Sequence, residues 1–160
     1  MRGQILAGEL PEGGVDVFEI RDPKPRIIHA PCFRQRVLHH ALMGLLGPVI
    51  ERSLVADTFA CIAGRGSHAA VLRAKAHARR RPWFAKIDIA SYFASIDHGR
   101  MLDDLRRRFK HPGVLRLCEK ILDQHHATPG RGLPIGALTS QHFANLYLGP
   151  LDRHLLEGLR

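Results

Sequence analysis

Asp88 stands in a setting that asks for a chemical reason. It lies late in a short apolar run, Trp83-Phe84-Ala85-Lys86-Ile87-Asp88-Ile89-Ala90, which predicts a strand. The pleat would put Phe84, Lys86, Asp88 and Ala90 on one side and Ala85, Ile87 and Ile89 on the other. The second side is fully apolar and reads as core. The first carries a carboxylate near the end of the strand, where a ligand can reach. An unpaired charge among apolar neighbours is costly. A bound divalent cation would offset that cost, because hard cations take oxygen ligands. Pairing with Lys86 or Arg81, or capping a turn, would offset it as well.

A second group of metal-ligating types lies upstream, where His29 and Cys32 are followed by His39 and His40. It lacks the paired spacing of a zinc site. Cys32, Cys61 and Cys118 are an odd number with no C-x-x-C, so neither a disulfide framework nor a zinc ribbon is indicated. The remaining histidines are scattered and read as surface or helix-end residues.

These residues need elements to position them. Residues 1–14 are Gly-rich and read as a frayed start. Residues 15–21 and 26–30 read as two strands about Asp22-Pro23-Lys24-Pro25, a tight-turn sequence, giving a basic hairpin with Arg21, Lys24 and Arg26 near its tip or along one strand. Val37, Leu38, Ala41, Leu42, Leu45, Leu46 and Val49 recur at helical spacing, and Gly47-Pro48 should end or kink that helix. Ser67 is placed to cap an Ala-rich helix that closes at Arg79-Arg80-Arg81-Pro82. After the central run, Asp97 is placed to cap a helix carrying Met101, Leu102, Leu105 and Phe109. Another helix carries Val114, Leu117, Cys118, Ile121 and Leu122. Residues 128–136 are too rich in Gly and Pro to be regular. They feed a last helix with Phe143, Tyr147, Leu151 and Leu155 on one face and a kink expected at Pro150.

The 160 residues suffice for one domain with a real core, and 45% apolar with 24% charged is ordinary for a globular chain. No run reaches the roughly 18 apolar residues of a membrane span, and the N-terminus does not read as a signal peptide, which makes the cytoplasm the default. The formal charge of +9 is concentrated: residues 21–81 hold twelve Lys/Arg against three Asp/Glu. Such a local excess suits a polyanion such as nucleic acid, or is a solvated basic face.

Four stretches, in order, resemble one family. Lys86-Ile87-Asp88-Ile89-Ala90-Ser91-Tyr92-Phe93 is similar to the first palm motif of reverse transcriptases. Gly132-Leu133-Pro134-Ile135-Gly136-Ala137-Leu138-Thr139-Ser140-Gln141 is similar to their dNTP-side loop and helix. Pro25-Arg26-Ile27-Ile28-His29-Ala30-Pro31 through Arg36-Val37-Leu38, and Gly64-Arg65-Gly66-Ser67, resemble the fingers of the bacterial and group II intron-type enzymes. The resemblance implies an α+β fold, a fragment of the polymerase right hand. Residues 15–82 would be helical fingers with a basic β-hairpin, and residues 83–160 the first part of the palm.

The resemblance also implies roles. Asp88 would be a catalytic aspartate holding Mg²⁺, with the Ile89 backbone as a further ligand and a contact to the triphosphate. Two Mg²⁺ ions would clamp the attacking 3′-hydroxyl and the leaving pyrophosphate. Phe93 would exclude a ribose 2′-hydroxyl, or simply pack in the core. Arg26, with Lys24 behind it, would meet the incoming dNTP, as would Ile135 and Gly136; each cation has a plain surface reading beside that one. Gly136 would let the backbone approach the nascent base pair, or would only make a turn. Arg34, Arg36, Arg65, Arg79, Arg80 and Gln141 would contact nucleic acid. The implied partners are an RNA template, a DNA primer, dNTPs and a basic accessory protein.

Most of the family has Q-G-x-x-x-S-P in the dNTP-side loop, whereas this chain has Ile135-Gly136-Ala137-Leu138-Thr139-Ser140-Gln141. The aliphatic form resembles reverse transcriptases of diversity-generating retroelements, in which it accompanies error-prone copying of adenines. The family's second palm strand, with aromatic-x-Asp-Asp, has no counterpart here, nor does the thumb. After Gln141 the acids are Asp152 and Glu157, both in the expected helix. The resemblance therefore implies a piece of an enzyme, inactive by itself, or an RNA-binding module that has lost the chemistry.

Overall fold

The computed structural model describes residues 2–21 and 24–158. The fold is α+β. In chain order it runs α1 (Arg2–Leu6), β1 (Val15–Arg21), β2 (Pro25–Pro31), α2 (Phe33–Arg52), α3 (Ser67–Ala78), α4 (Tyr92–Ser95), α5 (His98–Arg108), α6 (Pro112–Asp123) and α7 (Leu138–Arg153), closed by a π-helical turn at His154–Gly158. β1 and β2 form an antiparallel hairpin in a register that pairs Val15 with Pro31 and Arg21 with Pro25. The expected tip residues Asp22 and Pro23 lie outside the described residues.

The core is helical. Leu38, Leu42, Leu46 and Ile50 of α2 meet Phe143 and Leu146 of α7, with Met101 and Leu105 of α5 and Leu117, Ile121 and Leu122 of α6 completing it. Each fully buried side chain of this size contributes about 1.5–3 kcal/mol. The buried face of α2 is turned from the expected one. Val37 and Leu45 face solvent, while Gln35, His39, Met43 and Ile50 go inside. The helix also runs through Pro48 without ending. Gly44 and Pro48 are both exposed, so the carbonyl that Pro48 cannot bond is open to water.

Two caps follow from the residue types. Asp97 Oδ1 accepts from the Arg100 N–H at 3.0 Å and starts α5, as expected. His111 Nδ1 accepts from the Val114 N–H and starts α6, with Pro112 in the first turn. Ser67 does not cap α3. Gly66 holds that position at φ 144°, and no side chain bonds the open N–H groups. Helix α7 continues through Pro150 to Arg153; Leu151 and Leu155, expected on its buried face, are largely exposed. The N-terminal stretch docks on the helices. Pro11 is buried, Gln35 Nε2 donates to the Gly13 carbonyl at 3.2 Å, and Lys120 pairs with Glu9.

The central strand does not form. Residues 82–90 have no ladder partner among the described residues, and all are exposed. Ala85, Ile87 and Ile89 are therefore not core, and Trp83 and Phe84 are 88% and 89% accessible. A strand must give its N–H and C=O groups to a neighbour. The sheet found among the described residues is the β1–β2 hairpin, which is already paired with itself.

Candidate functional site

One candidate is the Gly- and Pro-rich loop 128–137, which is tied at two places. The Gly132 N–H donates to the Ile96 carbonyl at 2.9 Å, and the Leu133 N–H to the Phe93 carbonyl at 2.8 Å. Further along, the Ile135 carbonyl accepts from the His29 N–H of β2 at 2.7 Å. Gly136 makes that junction possible. Its φ is +119°, and a Cβ there would lie 2.9 Å from the His29 carbonyl oxygen and 3.0 Å from Ile28 Cγ2. No larger residue fits both the dihedral and the space. Gly136 thus lies close against the backbone of β2.

Beside this junction lies a cavity of about 350 Å³ lined by Val17, His29, His39, Gln124, His125 and Pro134 among others. His29 and His125 meet edge to face, with ring centroids 4.4 Å apart. His39 bonds Thr139 Oγ1 through Nδ1 at 2.9 Å, and burial, with His40 nearby, pulls its pKa down to about 4. His125 is pulled down by burial and then by its neighbours His29, His126 and His98. Both rings are held toward the neutral form. The cavity offers aromatic edges and imidazole donors and acceptors.

Asp88 belongs to a different place. It lines a cavity of about 310 Å³ with Ile89, Tyr92, Leu148, Leu151 and Asp152. It is exposed and makes no ion pair with Lys86 or Arg81 among the described residues. Burial raises the Asp152 carboxyl above the ordinary carboxylate range, with Arg153 opposing. Tyr92 donates its hydroxyl proton to the Ala144 carbonyl at 2.6 Å and is spent on packing. Mg²⁺ demands near-octahedral oxygen coordination. Two carboxylates, Asp88 and Asp152, among aliphatic walls are too few oxygen donors to fit a two-Mg²⁺ site.

The remaining candidates divide by what they touch. Arg26 is exposed and lines an open groove with Val17, Glu19, Pro25 and Ile27, and Lys24 is exposed beside it. Arg34, Arg36, Arg79 and Arg80 are exposed, Arg36 lying 5.8 Å over the Phe33 ring. Arg65 is a staple: its guanidinium donates to the carbonyls of Val55, Ala56 and Thr58 at 2.9–3.3 Å. Phe93 is half-buried against the core and edge to face with Tyr92. Gln141 is half-buried on α7. Loop 128–137 and β2 thus come together, bringing Ile135 and Gly136 to the hairpin of Arg26. Asp88 and Ile89 line a cavity of their own.

The zinc grouping of His29, Cys32, His39 and His40 is not assembled. His29 packs on His125, His39 bonds Thr139, and the Cys32 thiol points to the Glu12 carbonyl at 3.9 Å. Among the described residues a different trio has its ligand atoms within 4.8 Å of one another: His98, Asp123 and His126. The sequence signal for it is the D-x-x-H spacing at the end of α6, which the scatter of eleven histidines hides.

No protein-family model matches the chain. The chain is similar to Protein YkfC of Escherichia coli K12, 24% identical over 96% of this chain and 45% of that protein. It is similar to the group II intron-encoded protein LtrA of Lactococcus lactis subsp. cremoris, 26% identical over 84% of this chain and 23% of that protein. It is also similar to a putative COX1/OXI3 intron 2 protein of Saccharomyces cerevisiae, 29% identical over 54% of this chain and 11% of that protein. The chain spans less than half the length of each. At this coarse level it is a low-identity relative of proteins encoded in group II and other introns.

Proposed function

We propose that this chain is the fingers (residues 15–82) and first palm segment (residues 83–160) of an RNA-directed DNA polymerase. In a complete enzyme it would help extend a DNA primer on an RNA template with dNTPs. The observation that carries this reading is the junction of loop 128–137 with β2. A nucleotide-triphosphate cleft needs cations and a backbone-lined wall close together. The hairpin supplies Arg26 and Lys24, and the Ile135–Gly136 backbone packs on its base. The relation to intron-encoded proteins agrees with it. Asp88 would then contribute one carboxylate to a Mg²⁺ site whose other ligands come from elsewhere. Ile135, unable to hydrogen-bond a base as Gln could, would loosen fidelity in the manner of a diversity-generating retroelement enzyme.

Reading the gene past the codon for Arg160 tests the assignment. An apolar strand with aromatic-x-Asp-Asp within a few tens of residues supports it; an immediate stop codon overturns it. One observation favours a second reading, a non-catalytic RNA-binding module: the oxygen donors around Asp88 are too few for two metal ions. That module would bind RNA with steep salt dependence, lose roughly one unit of salt slope for each phosphate-contacting cation removed among Lys24, Arg26, Arg34 and Arg36, and be indifferent to Asp88→Ala.

A further inference from the structure

We propose that His98, Asp123 and His126 form a Zn²⁺ site that clips the start of α5 and the end of α6 to the loop leading to Ile135. The three ligand atoms lie within 4.8 Å of one another. His98 is the anchor. It is only 5% exposed, and its Nε2 lies 2.7 Å from the Gly132 carbonyl oxygen. A carbonyl can only accept, so Nε2 carries the proton and Nδ1 presents a bare lone pair. That Nδ1 is buried and has no hydrogen-bond partner among the described residues. An imidazole with one nitrogen donating to a carbonyl and the other left without a partner is the arrangement of a metal-ligating histidine.

The other two ligands are exposed and free to close on an ion. Asp123 makes no ion pair among the described residues and is the last residue of α6. His126 tilts against His98 with ring centroids 5.0 Å apart. Two imidazoles and one carboxylate, with a fourth position open to water, suit Zn²⁺ and not Mg²⁺ or Ca²⁺, which prefer all-oxygen sets. Zinc–nitrogen bonds of about 2.0–2.1 Å require ligand atoms about 3.3 Å apart, so Asp123 and His126 must draw inward by an ångström or so.

Closure has a readout built into the loop. His126 Nδ1 accepts from the Gly130 N–H at 3.2 Å. If the metal takes Nδ1, that lone pair is gone. If it takes Nε2, the neutral ring must carry its proton on Nδ1. Either way the Gly130 amide loses its acceptor. Gly130 sits in the segment that already bonds α5, since its carbonyl accepts from the His98 N–H at 2.9 Å. Metal occupancy therefore reports directly on the loop.

The test titrates the chelator-treated chain with Zn²⁺ by calorimetry and repeats the titration with Asp123→Asn and His126→Ala, which are exposed and leave the core intact. One ion per chain is expected, with affinity falling at least about tenfold in each variant. The Gly130 amide resonance should shift on zinc addition in the parent and not in His126→Ala. With Co²⁺ the absorption should show tetrahedral ligand-field bands and no thiolate charge-transfer band. Equal affinity in parent and variants, an unmoved Gly130 resonance, or a thiolate band pointing to Cys32 or Cys61 would each overturn the proposal. None of these readouts depends on polymerase activity.

Discussion

The helices α2, α5, α6 and α7 and the segment from α3 to residue 90 have a comparable supply of apolar side chains and opposite fates. The first group buries Phe143, Ile50, Met101 and Leu105 completely. The second buries nothing: α3 has no buried residue, and Trp83, Phe84 and Ile87 stand in solvent. The difference lies in partners, not composition. An amphipathic helix satisfies its own backbone and needs only a face to pack on. A would-be strand needs a neighbour before its side chains are worth burying. The segment carrying Asp88 lacks that neighbour, whereas loop 128–137 finds one in β2.

The largest expected effect is on the packed side. Phe143→Ala should cost about 3–5 kcal/mol of unfolding free energy, measured by urea melts, because it empties a fully buried position. A cost below 1 kcal/mol would mean that the helical core is not the stable part. Next is pH. His39 is 3% exposed and its pKa is lowered to about 4 from 6.5. Between those values the unfolded chain binds the extra proton. Stability is therefore fully present above about pH 6.5 and lost as pH falls toward 4, by on the order of 3 kcal/mol from this group. Melts of the parent and His39→Gln at pH 7 and pH 4.5 check this; an equal pH loss in both would refute it.

The junction between the regions is smaller and more local. Gly136→Ala must bring a Cβ to within 2.9 Å of the His29 carbonyl at φ +119°. About 1–3 kcal/mol of strain is expected, with faster amide exchange at His29 and little change in α5 or α6. Uniform loss of protection across all helices would show that the hairpin and the core unfold as one unit.

The helical half of this fold was legible because helices announce themselves locally. Leu117, Cys118, Ile121 and Leu122 share a face, and Asp97 sits where a cap belongs. The buried face of α2 was misread because Leu45 and Val37 are as apolar as Ile50 and Met43. Only α7 and the N-terminal stretch, which lie far off in sequence, decide which of them is inside. The strand failed for the same reason in stronger form, since pairing is wholly non-local. At the candidate site, the loop composition showed only that residues 128–136 are irregular, and the role of Gly136 came from the family resemblance. Its partner, His29, was not legible, because more than a hundred residues separate them. Arg65 looked like a phosphate ligand because a sequence cannot show three carbonyls converging on one guanidinium.

The smallest expected effect bears most directly on the exposed side. Trp83→Ser and Phe84→Ser remove large aromatics, which in a core would cost several kcal/mol. At 88% and 89% exposure they touch little. Each should change the unfolding free energy by less than about 0.5 kcal/mol. Limited trypsin digestion should cut first between Arg79 and Lys86 in the parent and in both variants, leaving the α5–α7 fragment protected. The two measurements together are sharper than either alone. Cleavage depends on local backbone opening, and stability on burial. A silent substitution with early cleavage means that the segment holding Asp88 is ordered by nothing in this chain. A cost above about 2 kcal/mol, or resistance to trypsin there, would mean that Trp83 and Phe84 bury against a surface after all. The contrast between the two regions would then collapse, and Asp88 would regain the sheltered setting that its apolar neighbours first suggested.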